Sequence, residues 1–134
     1  SAQILAAEWP THIVYSGFEI GLAIPYPATS IEQDYNYVPY HPLKAAYVLY
    51  EPPPHNRPTW DLTSVLYAVL PDRDFFGLSA PGTVSVDDRG ATTHAATDNG
   101  LHRFLTLTHD QQIRVTEALV QLSSEPPHSV VSHE

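Results

Sequence analysis

Thirteen prolines in 134 residues set the limits on what this chain folds into. A proline inside a helix removes a backbone hydrogen bond and clashes with the preceding turn, so each one starts or stops an element. Pro10 stops an opening helical run, and Pro25 and Pro27 forbid helix around them. Pro42 suits the first position of a helix. Pro52-Pro53-Pro54, Pro71 and Pro126-Pro127 each end the run before them. The chain must therefore be assembled from short elements. The prolines crowd between Pro25 and Pro58 with aromatic residues among them, which predicts long ordered loops rather than disorder.

The best-punctuated segment runs from Arg57 to Pro71. Pro58 and Thr59 suit a helix entry. Leu62, Val65, Leu66 and Val69 follow at i, i+3, i+4 and i+7, one apolar face. At its mouth stand Trp60 and Asp61. An acid in a first helical turn is favoured by the macrodipole, and a tryptophan is an ordinary core anchor. The same pair is also a flat aromatic and a carboxylate side by side, a combination suited to a ligand.

The rest reads as α/β. Ala2 to Trp9 reads as the end of a helix, too short to stand alone. Thr11 to Ser16 reads as a buried, parallel-type strand. Gly17 to Gly21 then forms a loop at its carboxyl end, where α/β proteins bind ligands, so Glu19 is a candidate substrate-binding residue as well as an ordinary solvated acid. Leu22 to Pro27 is extended. Thr29 with Glu32, and Ser30 with Gln33, have capping-box spacing and predict a helical turn or two. Tyr35, Tyr37 and Tyr40 line an irregular stretch, either as a ligand-facing wall or as half-buried loop tyrosines. Leu43, Ala46, Tyr47 and Tyr50 give the helix after Pro42 its face. His55, just before the Trp60 helix, is a candidate for substrate binding or catalysis, and equally a polar loop residue.

Beyond Pro71 the period becomes alternating. Thr83 to Val86 reads as a strand, Asp87-Asp88-Arg89-Gly90 as a turn, and Ala91 to Ala95 as its return. Asp87 and Asp88 are adjacent, so their side chains point apart, and a turn role fits better than a metal pair. Asp98-Asn99-Gly100 marks a second turn before a strand with Leu105 and Leu107 inward. Thr108 and Gln111 form a capping box for a last helix with Val115, Ala118, Leu119 and Leu122 on one face. Residues 1–134 thus read as a single domain, with 126–134 a frayed tail.

Composition narrows the partners. Six basic against fifteen acidic residues give net −9, which argues against DNA or RNA. No apolar run is long enough for a membrane span. No basic-then-apolar start marks a signal peptide, and the absence of cysteine leaves the compartment open. The eight histidines show no zinc spacing.

From about Trp9 to Leu122 the chain resembles the C-terminal portion of the nucleoside hydrolases, the inosine–uridine-preferring N-ribohydrolases. The resemblance rests on Trp60-Asp61 at a helix start, the apolar helix and Leu70-Pro71-Asp72 after it, then Thr83-Val84-Ser85-Val86-Asp87 and Gly90-Ala91-Thr92-Thr93. It implies part of an open, doubly wound domain with a C-terminal antiparallel β element. It implies calcium-dependent hydrolysis of the N-glycosidic bond of nucleosides, with Asp61 as a metal ligand. Tryptophan at position 60, where many members have histidine, is similar to the purine-preferring group, in which it stacks on the base. The family's Asp-x-Asp-x-x-x-Asp-Asp motif is not found in this chain. Most calcium ligands would then lie on a preceding segment, and this chain by itself is expected to be inactive and to bind no calcium tightly. An apolar face left open by a half-domain implies a homo-oligomer or a partner half. The alternative is a non-catalytic binding or assembly module derived from that family.

Overall fold

The computed structural model describes residues 1–127. In chain order the elements are α1 (Ala2–Glu8), β1 (Ile13–Tyr15), α2 (Phe18–Ala23), β2 (Pro25–Tyr26), α3 (Ala28–Gln33) and α4 (Pro42–Tyr50). They continue as β3 (Arg57–Pro58), α5 (Trp60–Val69), β4 (Gly77–Leu78), β5 (Gly82–Val86), β6 (Thr92–Ala96), β7 (His102–Thr106) and α6 (His109–Ser124). Proline bounds the elements as expected: Pro42 opens α4, and α2 ends two residues before Pro25. The expected frayed tail, from residue 128 on, lies outside the described residues.

The fold is α/β with a mixed sheet. Strands run in the order β1-β7-β5-β6, and β4 also pairs with β7. The last strand in the sequence, β7, is thus central. β1 runs parallel to it, with Ile13 opposite His102 and Tyr15 opposite Phe104. β5 and β6 form an antiparallel hairpin from Gly82–Ala96 to Val86–Thr92. Its turn places Gly90 at φ 86°, and the Asp87 carboxylate accepts from the Arg89 and Ala91 amides at 2.8 Å each. That is the turn role expected for Asp87. A separate two-stranded ladder pairs β2 with β3, Pro25 opposite Pro58.

The main core lies where α2, α3, α5 and α6 meet β7. Ile20, Ile24, Ile31, Leu66, Leu105, Val115 and Leu119 are buried there with Tyr26, Tyr35 and Tyr47. The α6 capping box forms as read: Thr108 accepts from the Gln111 amide at 3.2 Å, and the Gln111 side chain accepts from Thr108 N–H at 3.0 Å. Val115 and Leu119 point inward, whereas Leu122 is exposed.

Three expectations change. Gly17 to Gly21 is not a loop: Gly17 caps α2, whose Ile20 and C-capping Ile24 both bury at i, i+4 spacing. The face of α5 is also rotated. Leu66 is buried, but Leu62, Val65 and Val69 are exposed, and the inward side is instead Thr59, Thr63 and Leu66. Polar bonds to neighbouring elements, described below, select that face over the more apolar one. On α4, likewise, Tyr47 is buried while Leu43 and Tyr50 are exposed.

Ile24 is fully buried and Leu49 is 86% exposed. Ile24→Ala is expected to cost about 2–5 kcal/mol in urea unfolding, and Leu49→Ala to stay within about 0.5 kcal/mol. Similar costs for the two would contradict this placement of the core.

Candidate functional site

The carboxyl end of β1 meets the starts of two helices. Ser16 and Gly17 lead directly from β1 into α2. The first turn of α5 is fixed against them by buried polar groups. Thr59 N–H donates to Gly21 O at 3.2 Å, and the Thr59 hydroxyl donates to Ile24 O at 2.7 Å. Thr63 is fully buried; its hydroxyl donates to Trp60 O at 2.9 Å and lies 2.7 Å from Ser16 Oγ. With its one hydrogen committed to Trp60, Thr63 accepts from Ser16. The buried Thr59 and Thr63 hydroxyls are thereby both matched, which avoids the roughly 1–3 kcal/mol cost of an unsatisfied one.

Gly21 makes the close approach sterically possible. A Cβ there would fall on the Trp60 indole and lie 2.8 Å from Trp60 Cα. The indole packs over the bare backbone of α2, and its Nε1–H donates to Phe18 O at 3.1 Å. The Phe18 and Trp60 rings stack at 5.4 Å between centroids and 21° between planes. Phe18 is 68% exposed, so the pair forms an aromatic platform reaching solvent.

Glu19 and Asp61 occupy the first turns of α2 and α5 respectively, where the helix dipoles favour their charge. Both are exposed, and neither enters an ion pair among the described residues. The Glu19 carboxyl turns back over Gly17. Trp60, Asp61 and Glu19, three sequence-derived candidates, thus stand in the first turns of two helices that meet at the Trp60–Gly21 contact. Phe18, Thr63 and Gly21 were missed. Thr63 and Ser64 are adjacent polar residues within an apolar helical run, and only Thr63 is buried.

Calcium is the ion that the family resemblance implies. Among the described residues no group of three or more His, Asp or Glu could hold a metal ion. Calcium takes about 6–8 oxygen ligands, and Asp61 offers one carboxylate. These residues do not make a calcium site by themselves.

His55 lies elsewhere. Its ring stacks on Tyr47 at 3.9 Å and 5°, and its backbone N–H donates to Tyr47 Oη at 3.0 Å. Both its ring nitrogens are buried with no hydrogen-bond partner among the described residues. Tyr50 lies nearby, 6.3 Å from His55, and carries the Arg57 guanidinium over its ring at 3.9 Å. Of the three loop tyrosines, Tyr35 is buried and Tyr37 and Tyr40 are exposed. Tyr35 Oη lies 3.0 Å from Tyr26 Oη, which lies 3.0 Å from Ser30 Oγ.

Compared with family models, curated proteins and solved structures, the chain matches none of them. No helix among the described residues is long and apolar enough to cross a membrane.

Burial, and then the hydrogen bond to Tyr26, raises the Tyr35 phenol above the ordinary tyrosine range; burial also raises Tyr15. The folded chain then holds protons that the unfolded chain releases above about pH 10, so stability is full below that value and falls as pH rises through it. Urea midpoints measured across that range are expected to drop, and Tyr35→Phe to flatten the drop. An unchanged slope in the variant would contradict the assignment to Tyr35.

Proposed function

We propose that this chain is part of a nucleoside N-ribohydrolase, belonging to an open, doubly wound domain of that kind. The observation that carries the reading is the solvent-reaching Phe18–Trp60 platform with the unpaired carboxylates of Asp61 and Glu19 in the adjoining helical turns. A purine stacks on the exposed side of the platform, and base–aromatic stacking of this kind is worth about 1–3 kcal/mol. Hydrogen bonding to Phe18 O and packing on Gly21 hold the indole in one orientation, so the platform binds without reordering. Asp61 would supply one oxygen ligand of a calcium site whose other ligands would come from a segment carrying the family's acidic motif, and a calcium held there would supply a site for water and the ribose hydroxyls. The substrate class is purine nucleosides, and the bond broken is the N-glycosidic bond.

A second reading is favoured by a different observation. Leu62, Val65 and Val69 form an exposed apolar stripe along α5. Such a stripe supports a non-catalytic assembly module, associating with its own copies or with a partner half.

The test joins the chain to a segment bearing Asp-x-Asp-x-x-x-Asp-Asp and follows release of reducing sugar with calcium present. The joined protein is expected to hydrolyse inosine, while the chain alone is no faster than buffer. Trp60→Ala in the joined protein is expected to lower kcat/KM for purine nucleosides roughly 10–100-fold, and for pyrimidine nucleosides less. Equal losses would make Trp60 structural. No hydrolysis by the joined protein, with light scattering showing self-association that Val65→Glu abolishes, would leave the assembly reading standing.

A further inference from the structure

On the flank of α5 away from the platform, a cavity of about 180 Å³ opens between α3, α4 and the β2–β3 ladder. Trp60 and Leu62 are two residues apart, about 200° around the helix, so one serves the platform and the other the cavity. Its walls include Tyr26, Ile31, Tyr35, Leu43, Tyr47 and Leu62, and Arg57 also borders it. The phenolic hydroxyls of Tyr26 and Tyr35 bond to each other, and that of Tyr47 to the His55 backbone N–H, so the tyrosines turn their ring carbon toward the space.

We propose that this cavity binds a single-ring aromatic carboxylate, with the ring inside and the carboxylate on Arg57. Three observations fix the class. The first is size: an apolar cavity of about 150 Å³ holds benzene, so this one takes one six-membered ring with a short side arm. The second is the lining. Tyrosine rings and aliphatic side chains offer an inserted ring edge-to-face and offset contacts. A nucleobase is excluded, because burying its ring of donors and acceptors against these walls costs about 1–3 kcal/mol for each unmatched group. This site is therefore distinct from the purine platform and does not rest on that reading.

The third observation is charge. Arg57 is one of six basic residues in a chain of net −9, yet it makes no ion pair among the described residues. Its guanidinium lies over the Tyr50 ring, 3.9 Å from the centroid. Its N–H edge has no acceptor among the described residues. A carboxylate matches that edge with two parallel hydrogen bonds. Tyr50 is exposed, which places the charged end of the ligand toward solvent and spares it full desolvation.

The experiment is calorimetric titration of the full 134-residue chain with phenylacetate, and with benzyl alcohol as the neutral ring of similar size. Phenylacetate is expected to bind saturably at one site. Arg57→Gln is expected to weaken phenylacetate about tenfold or more, the worth of charge-assisted hydrogen bonds, and to leave benzyl alcohol nearly unchanged. Leu43→Trp, at a half-exposed wall position, is expected to fill the space and abolish both while circular dichroism stays native. No saturable binding, equal weakening of both ligands by Arg57→Gln, or undiminished binding to a folded Leu43→Trp chain would each overturn the proposal. Should Leu43→Trp fail to fold, the ratio measured with Arg57→Gln decides alone.

Discussion

The contact on which the rest depends is the approach of the α5 start to the bare backbone of Gly21. With any side chain at position 21 the Trp60 backbone could not sit where it does. The two helices are then tied by Thr59 and Thr63, whose hydroxyls and amide bond to Ile24 O, Gly21 O and Ser16 Oγ. Each such bond contributes about 1 kcal/mol net, but breaking one in this dry junction costs up to about 3 kcal/mol. The Phe18–Trp60 stack, partly in water, is worth about 0.5–1.5 kcal/mol. The polar junction therefore dictates how α5 is rotated, and the aromatic platform follows from that rotation.

The same rotation has consequences on both sides of the helix. Turning Thr63 inward leaves Val65 and Val69 in solvent, and it presents Leu62 to the aromatic cavity. A helix whose apolar stripe is not its buried stripe is a local conflict between patterning and packing, and such conflicts concentrate where a surface is used. Elsewhere the two agree. The α6 face at Val115 and Leu119 is both the apolar one and the buried one, and its Thr108–Gln111 box stops fraying at the end that follows β7.

Much of the fold was legible because proline and glycine mark its boundaries. Pro42, Pro71 and the Asp87–Gly90 turn placed a helix start, a helix end and a hairpin. The parallel character of β1 was legible from its uninterrupted apolar run, and β7 is indeed its parallel partner, but Ile13, Val14 and Tyr15 are half-buried rather than buried as expected. What could not be read depended on contacts across the chain. Gly17 suits an N-cap as well as a loop, and what decides for the helix is Ile20 and Ile24 meeting a core made of distant residues. Trp60, Asp61 and Glu19 were named as site candidates, and the junction at Gly21 joins the two helices that carry them. His55 was grouped with them by sequence proximity, but the short β3 strand carries the chain away between them, and its ring belongs with Tyr47. The central strand pairings of β7 with β4 and β5 join residues separated by loops and carry no local signal at all.

The central claim is that the Trp60 platform receives a purine ring. Trp9, whose indole bonds to Thr11 Oγ1 at 2.9 Å, supplies an internal control, because it is the other of the two tryptophans. The most direct measurement is titration of the ¹⁵N-labelled chain with guanosine, read at the two indole N–H resonances. The Trp60 resonance is expected to shift progressively together with the amides of Phe18 to Gly21, while the Trp9 resonance stays in place. No movement at Trp60, or equal movement at both indoles, would contradict the account.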